Sequence, residues 1–238
     1  MVTAAACMAA DELPKAEEII ERALEVMGGR AAMERIRNQA ISGTIEFTGK
    51  DLRGELLLYK ALPNLLYSRV NLPGVGVIEE GVDGKVAWQK NLQGARIKEG
   101  QERAQALLSA DVHAELNWRE RYSKVEVAGV ETSGDQTLYK VVLTPKEGPV
   151  QTRYYDQKTG LPAKVVMVMQ TPAGEVSVEV AMSDFRDAAG VLAPHTLTQK
   201  AMGQEFVIRI TSVKVNTEID PARFALPDEV KALVVKQP

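Results

Sequence analysis

The sequence is short of the residues that most often carry chemistry or clamp a fold. It holds one cysteine, Cys7, and two histidines, His113 and His195. A single cysteine excludes an intramolecular disulfide framework and a cysteine-based zinc cluster, and two histidines are too few for a multi-histidine metal centre. No metal or other cofactor is expected. Long apolar runs are missing too: no stretch reaches the roughly 18 residues that a transmembrane helix needs. Neither sign of charge dominates, since 29 basic residues stand against 32 acidic ones for a net charge of -3. Such a chain has no field that would gather nucleic acid, and none is expected as a partner. What remains is 238 residues, 45% of them hydrophobic and 26% charged, the profile of a globular protein able to bury a substantial core.

Catalytic signatures are equally sparse. There is no GxSxG nucleophile elbow, and the turn Pro73 to Gly76 lacks the Lys-Ser/Thr ending of a phosphate-binding loop. Gly28-Gly29 follows a helical pattern instead of preceding one, so it reads as a helix terminator. His195, after Pro194 in a strand-like run, has the ordinary structural role of a lone strand histidine. The acidic residues fall mostly on alternate strand positions or in turns, and give no paired-carboxylate assignment. The chain is not expected to be an enzyme.

The N-terminus has three open readings. Val2 to Ala10 is small and apolar before Asp11-Glu12, like the cleavage end of an export signal without its basic and long hydrophobic parts. Cleavage near Ala9 or Ala10 is the favoured reading. Ala4-Ala5-Ala6-Cys7 also resembles a degenerate lipobox, which makes Cys7 the lipidation candidate and a membrane anchor. A plain alanine-rich start is the third. Residues 1–12 are accordingly set apart as a residual signal-like or lipoprotein segment, and 13–238 are read as one domain in a periplasmic protein.

Helical spacing opens that domain. After Pro14, Ala16, Ile19, Ile20, Ala23, Leu24 and Met27 form one apolar stripe, and a second short helix is expected over Arg30 to Ile36. From Ile41 the period changes to two and stays there. Turn chemistry at Asp83-Gly84, Thr159-Gly160 and Thr171 to Gly174 separates successive strands. The expectation is a mainly β domain with helices, an antiparallel meander of about 10 to 11 strands without βαβ alternation. One interruption, Glu99 to Trp118, reads as a helix carrying Ala104, Leu107, Leu108, Val112 and Leu116 on one side. At a rise of about 1.5 Å per residue it would extend about 30 Å, as a lid or as a permanent cover over the core.

Several strands break the alternation of a sheet wetted on one side. Val165, Met167 and Met169 share a strand with Val166 and Val168, and Leu56 and Leu58 share one with Leu57 and Tyr59. Both faces there need apolar cover, supplied by protein or by ligand. Methionine adapts to irregular apolar partners, so Met167, Met169 and Met182 are candidates to line a lipid cavity as well as to fill a core. Burying one methylene is worth about 0.8 kcal/mol, so an acyl chain of about sixteen carbons gains on the order of 10 kcal/mol before binding costs.

Four segments, in order, resemble the LolA/LppX-like outer-membrane lipoprotein carrier superfamily. They are GVDGKVAWQKN at Gly81 to Asn91, YYDQKTGLPAKV at Tyr154 to Val165, SDFRDAAGVLAPH at Ser183 to His195 and VNTEIDPARFALP at Val215 to Pro227. The resemblance implies an incomplete antiparallel β-barrel wrapped around helices and enclosing an apolar space for acyl chains of lipids or lipoproteins. Membrane-protein donors and acceptors would be further partners. These segments specify turns and strands and transfer no binding residue. The candidate ligand-binding residues therefore come from the hydrophobic pattern: Leu107, Leu108, Val112 and Leu116 on the helix, Met167, Met169, Met182, Phe206 and Ile208 on the sheet, and Trp88 as a ligand-facing aromatic. An envelope-stress sensor or anchored interaction module is the main alternative, and a small-molecule enzyme on the same fold a weaker one.

Overall fold

The computed structural model describes residues 13–171 and 174–235. The signal-like segment, and Cys7 with it, lies outside the described residues.

Helix α1 (Ala16–Val26) forms where the stripe predicts it. Ala16, Ile19, Ile20, Ala23 and Leu24 are buried, and Glu17 and Glu18 in its first turn complement the helix dipole. It ends at Gly28 and Gly29, both with positive φ. A β-carbon on Gly28 would lie 2.2 Å from the carbonyl oxygen of Gly190, so no other residue fits that crossing. Helix α2 (Arg30–Glu34) follows directly.

The strands are β1 (Asn38–Phe47), β2 (Arg53–Ala61), β3 (Leu65–Leu72), β4 (Gly76–Asp83), β5 (Ala87–Asn91), β6 (Gly94–Ile97), β7 (Tyr122–Ser133), β8 (Gln136–Pro145), β9 (Gln151–Asp156), β10 (Pro162–Thr171), β11 (Gly174–Ala188), β12 (Val191–Ala201) and β13 (Gln204–Val215). They form one antiparallel sheet in the order β6-β5-β4-β3-β2-β1-β13-β12-β11-β10-β9-β8-β7. Every strand pairs with its chain neighbour except at two places. β1 pairs with β13, which brings the two ends of the meander together, and the chain between β6 and β7 runs through helices α3 (Gly100–Ala110) and α4 (Trp118–Arg121). The sheet is not closed: β6 and β7 are its edges. Thirteen strands replace the 10 to 11 expected, since pieces as short as β6 or β9 show too few periods to be separated by pattern. The Asp83-Gly84 hairpin forms as expected, with the Asp83 carboxylate accepting the N–H groups of Lys85 and Val86 at 2.9 and 2.8 Å.

The long helix expected over Glu99 to Trp118 is a correction. Helix α3 stops at Ala110, about 16 Å long at the α-helical rise, and a series of turns leads to the single turn of α4. Asp111 is the cause: it adopts an extended conformation, and its carboxylate accepts the N–H of His113 at 2.7 Å, the local side-chain bond by which Asp competes with helix.

Helix α3 also reports the curvature of the sheet. It packs on β3, β4 and β5 and equally on β10. Between β4 and β10 lie seven strand steps, about 34 Å along a flat sheet at the usual strand spacing, against a helix diameter of about 10 Å. One helix touches both only because the sheet curls around it. The face towards α1 and α3 is therefore the inner face of an open barrel.

The opposite face is covered at one end by the C-terminal segment. A 3-10 turn (Pro221–Phe224) and helix α5 (Asp228–Val234) bring Phe224 and Val230 onto Tyr67 and Trp88.

Candidate functional site

Register across the ladders fixes which side chains share the inner face. Leu143, fully buried beneath α1, stands in line with Gln151, Met167 and Val178. Further along, Met182, Leu197, Ile208 and Ile45 form a second inner row, and Phe206 pairs with Phe47 at a ring separation of 5.4 Å. On β2, Leu56, Leu58 and Lys60 point to the same side.

Two parts of this face are sealed. Helix α1, with Leu116 and Trp118, covers Tyr122, Val141, Leu143 and Tyr155 at the β7 to β9 end. At the other end Ala106, Leu107 and Ala110 of α3 cover Leu66, Val82 and Ala87. Between them the cover is incomplete: Leu56, Leu58, Met167, Met182, Phe206 and Ile208 keep partial exposure, while Val141, Leu143 and Val82 have essentially none. The uncovered apolar strip lies on the middle strands.

The inner face also carries charge, which the hydrophobic pattern alone did not find. Arg153, beside Val165 on β9, donates to Glu115 at 2.5 Å and to the Tyr122 hydroxyl at 3.0 Å. Burial opposes its charge, and Glu115 with the neighbouring tyrosines outweighs burial and holds its pKa above the usual arginine range. Burial likewise pushes the Tyr155 phenol up to about 12. Asp111 pairs with Arg121. Near the β4 to β6 end, Glu80 pairs with Lys98 at 2.9 Å and Arg96 with Glu102 at 2.5 Å. Two inner-face charges carry a signal in the sequence: Glu80 continues the phase of Ile78 and Val82 on β4, and Lys60 that of Leu56 and Leu58 on β2.

The structure divides the predicted site residues. Met167, Met169, Met182, Phe206 and Ile208 share the inner face, with Met169 near the β10–β11 turn and 37% exposed. Leu107 packs against Leu66 and Val82, and Leu108 is half-buried on α3. Val112 lies in the turn after α3, off the helix on which it was placed, for the reason given at Asp111. Leu116 is buried in the core under α1. Trp88 is a correction: it stands on the outer face, opposite Gly81 and packed with Tyr67 and Phe224, because the phase of β5 turns Ala87 and Gln89 inwards. Its Nε1 is enclosed there without a hydrogen-bond partner among the described residues.

The cleft at the N-terminal end of α1, about 230 Å3, is separate from the strip and is lined by Ile19, Arg22, Tyr139, Tyr155 and Asp156 among others. Among the described residues, no helix is long and apolar enough to cross a membrane.

No sequence family matches the chain, and no curated protein matches it. Solved structures do. A DUF1329 family protein from Desulfovibrio piger superposes with a TM-score of 0.58 at 13% identity, over 88% of this chain and 97% of that one. An outer membrane lipoprotein-sorting protein domain, described as putative, from Vibrio parahaemolyticus gives 0.58 at 11% identity, over 88% and 97%. A LolA superfamily protein from Nitrosomonas europaea gives 0.55 at 12% identity, over 90% and 99%. The fold is therefore that of the open, LolA-like β-barrels, as the four sequence segments implied. Identity at this level establishes architecture and leaves function to the site.

Proposed function

We propose that the protein is a periplasmic lipid or lipoprotein carrier that shelters acyl chains against the inner face of its open barrel. The observation that supports this reading is the apolar strip of Leu56, Leu58, Met167, Met182, Phe206 and Ile208, left partly exposed between regions that α1 and α3 seal. An isolated apolar side chain on a surface means little, whereas several left partly exposed on one concave face are the usual lining of a ligand site. An acyl chain laid on the strip completes the cover that the protein leaves open. Holding it requires no catalytic group, and donor and acceptor proteins of the two membranes are the partners that such a carrier would serve. Residues 13–238 act as one domain in this reading, and an anchored form through Cys7 is its variant for a protein kept at the membrane.

The experiment is native mass spectrometry of protein purified from a bacterial periplasm without detergent, followed by organic extraction. A stoichiometric lipid or acylated peptide is the expected result. Protein that arrives empty and takes up no offered lipid would overturn the reading.

A further inference from the structure

Lys60 is a cation of the inner face without a partner among the described residues. It follows Leu56 and Leu58 on the inward side of β2, between Gln39 of β1 and Leu66 of β3. Its side chain is half-buried, yet among the described residues no carboxylate oxygen lies within 4.0 Å of it and its ammonium makes no hydrogen bond. The nearest acidic groups already have partners. Asp111 is taken up by Arg121, and Glu115 by Arg153 at 2.5 Å. This group of five charges therefore carries three positive and two negative, and Lys60 holds the excess. Burial lowers its pKa, and the pull of Glu115 and Asp111 in the other direction is the smaller effect. A half-buried lysine without a counter-ion loses part of its hydration uncompensated, and the cost falls if a ligand supplies the missing charge.

Resting on the carrier reading above, we infer that Lys60 is the head-group anchor of the cup, so that its ligand is an amphiphile with one negatively charged head. The carboxylate or phosphate monoanion of such a molecule sits on the Lys60 ammonium. Its tail runs along β2 past Leu58 and Leu56, on the inner face that Phe206 and Ile208 share. From Lys60 to Leu56 this track is about 13 Å long at the rise of a β-strand, and it ends where the Leu72 side chain covers Gly54. Charge at one end and an apolar track from it give the ligand a fixed direction in the cup.

The test compares radiolabelled palmitate with radiolabelled methyl palmitate, which has the same tail and no charge, by equilibrium binding to the full chain. The expected result is a preference for palmitate of about ten-fold or more, the yield of one charge-assisted contact in a partly enclosed site. Lys60→Met should abolish the preference while keeping methyl palmitate binding, and Lys60→Arg should retain it. Equal affinity of the wild-type protein for acid and ester, or an unchanged preference in a folded Lys60→Met variant, would overturn the anchor and leave the acyl shelter standing. No binding of either ligand would remove the carrier reading itself. Should Lys60→Met fail to fold, reductive methylation of the wild-type protein read by peptide mass spectrometry gives the answer independently. Palmitate should protect Lys60 from modification, whereas methyl palmitate and acetate should not. Protection by acetate alone to the same degree would make the position a small-anion site and overturn the amphiphile.

Discussion

The guanidinium of Arg153 meets the carboxylate of Glu115 at 2.5 Å, and this contact ties the inner face of β9 to the turns that follow α3. The two partners are unequal. Arg153 is largely enclosed, with 17% of its side chain exposed, while Glu115 is 48% exposed. Removing the acid leaves an enclosed cation with uncharged partners, among them Tyr122, Gln151 and Tyr155. Glu115→Gln is expected to destabilise the fold by about 1 kcal/mol, the value of a charged hydrogen bond after discounting for the solvent around Glu115. Urea unfolding midpoints at neutral pH measure it, and an unchanged midpoint would mean that the turns are held by Leu116 and Trp118 without this pair.

The two faces of the sheet make opposite predictions for substitutions of similar severity. Met167→Glu places a charge on the inner strip and should abolish acyl-chain binding while the protein remains folded, since the side chain there is only partly covered. Trp88→Phe lies on the outer face under the C-terminal helix, and should leave binding unchanged. Gly81→Ala is the sharper probe of that outer packing. Its new methyl group would stand 2.6 Å from the Trp88 ring, an overpacking that costs about 1–3 kcal/mol. Thermal unfolding and lipid binding of the three variants together separate stability from function, and loss of binding in Trp88→Phe would contradict the face assignment.

Much of this was written in local pattern. The stripe Ala16, Ile19, Ile20, Ala23 and Leu24 predicted α1 and its buried side, because a 3.6-residue period survives any tertiary setting. The phase of Val176, Val178 and Val180, and of Phe206 and Ile208, likewise gave the inward set on β11 and β13. Other features depend on long-range geometry that no local pattern carries. Pairing of β1 with β13 is one, and the position of Arg153 beside Glu115 is another, since β9 is six residues long and mixes tyrosines with its charge. Trp88 was ambiguous because Ala87 and Trp88 offer an apolar residue to each face of β5, and only the C-terminal cover decides between them. The length of α3 failed at Asp111, where one carboxylate bond to the His113 N–H outweighed a continuing apolar stripe. Lys60 was legible in phase, but its lack of a partner could emerge only from the folded positions of Asp111 and Glu115.

Helix α3 is fastened to β10 by one side chain. The amide of Gln105 donates to the Val168 carbonyl at 3.1 Å and accepts the Gln170 N–H at 3.3 Å, imitating a neighbouring strand. Leu107 and Ala110 fasten the other side of the helix to Leu66 and Val82. Gln105→Ala releases only the β10 contact, so the cup should open there while the β4 contact persists. Hydrogen exchange of the α3 amides is expected to quicken about five-fold, the equivalent of about 1 kcal/mol for the lost bonds, with little change at α1. A faster release of bound palmitate in the same variant would identify α3 as a moving lid. Quickened exchange without faster release would identify it as a fixed cover.

Acid should weaken the α1 end of the molecule, and Glu21 is the reason. Burial raises the pKa of its carboxyl, but hydrogen bonds from Arg30, Arg119 and the Trp118 indole together overcome this and hold it at about 2, against an ordinary value of 4.5. Arg30 donates at 2.6 Å and Trp118 at 3.0 Å, so the one carboxylate joins α1, the start of α2 and α4. A carboxyl with a depressed folded pKa contributes stability that is fully present above its unfolded pKa and is lost as the pH falls towards the folded value. The window is therefore from about pH 5 down to about pH 2. Since a third of the Glu21 side chain is exposed, solvent screening reduces the contribution to about 1–2 kcal/mol. Glu21→Gln should lower the melting temperature at pH 7 and flatten its fall between pH 5 and pH 2, because the amide cannot titrate. Parallel pH profiles for wild type and Glu21→Gln would show that the three donors find compensation elsewhere and that Glu21 is not the acid-sensitive link between α1 and α4.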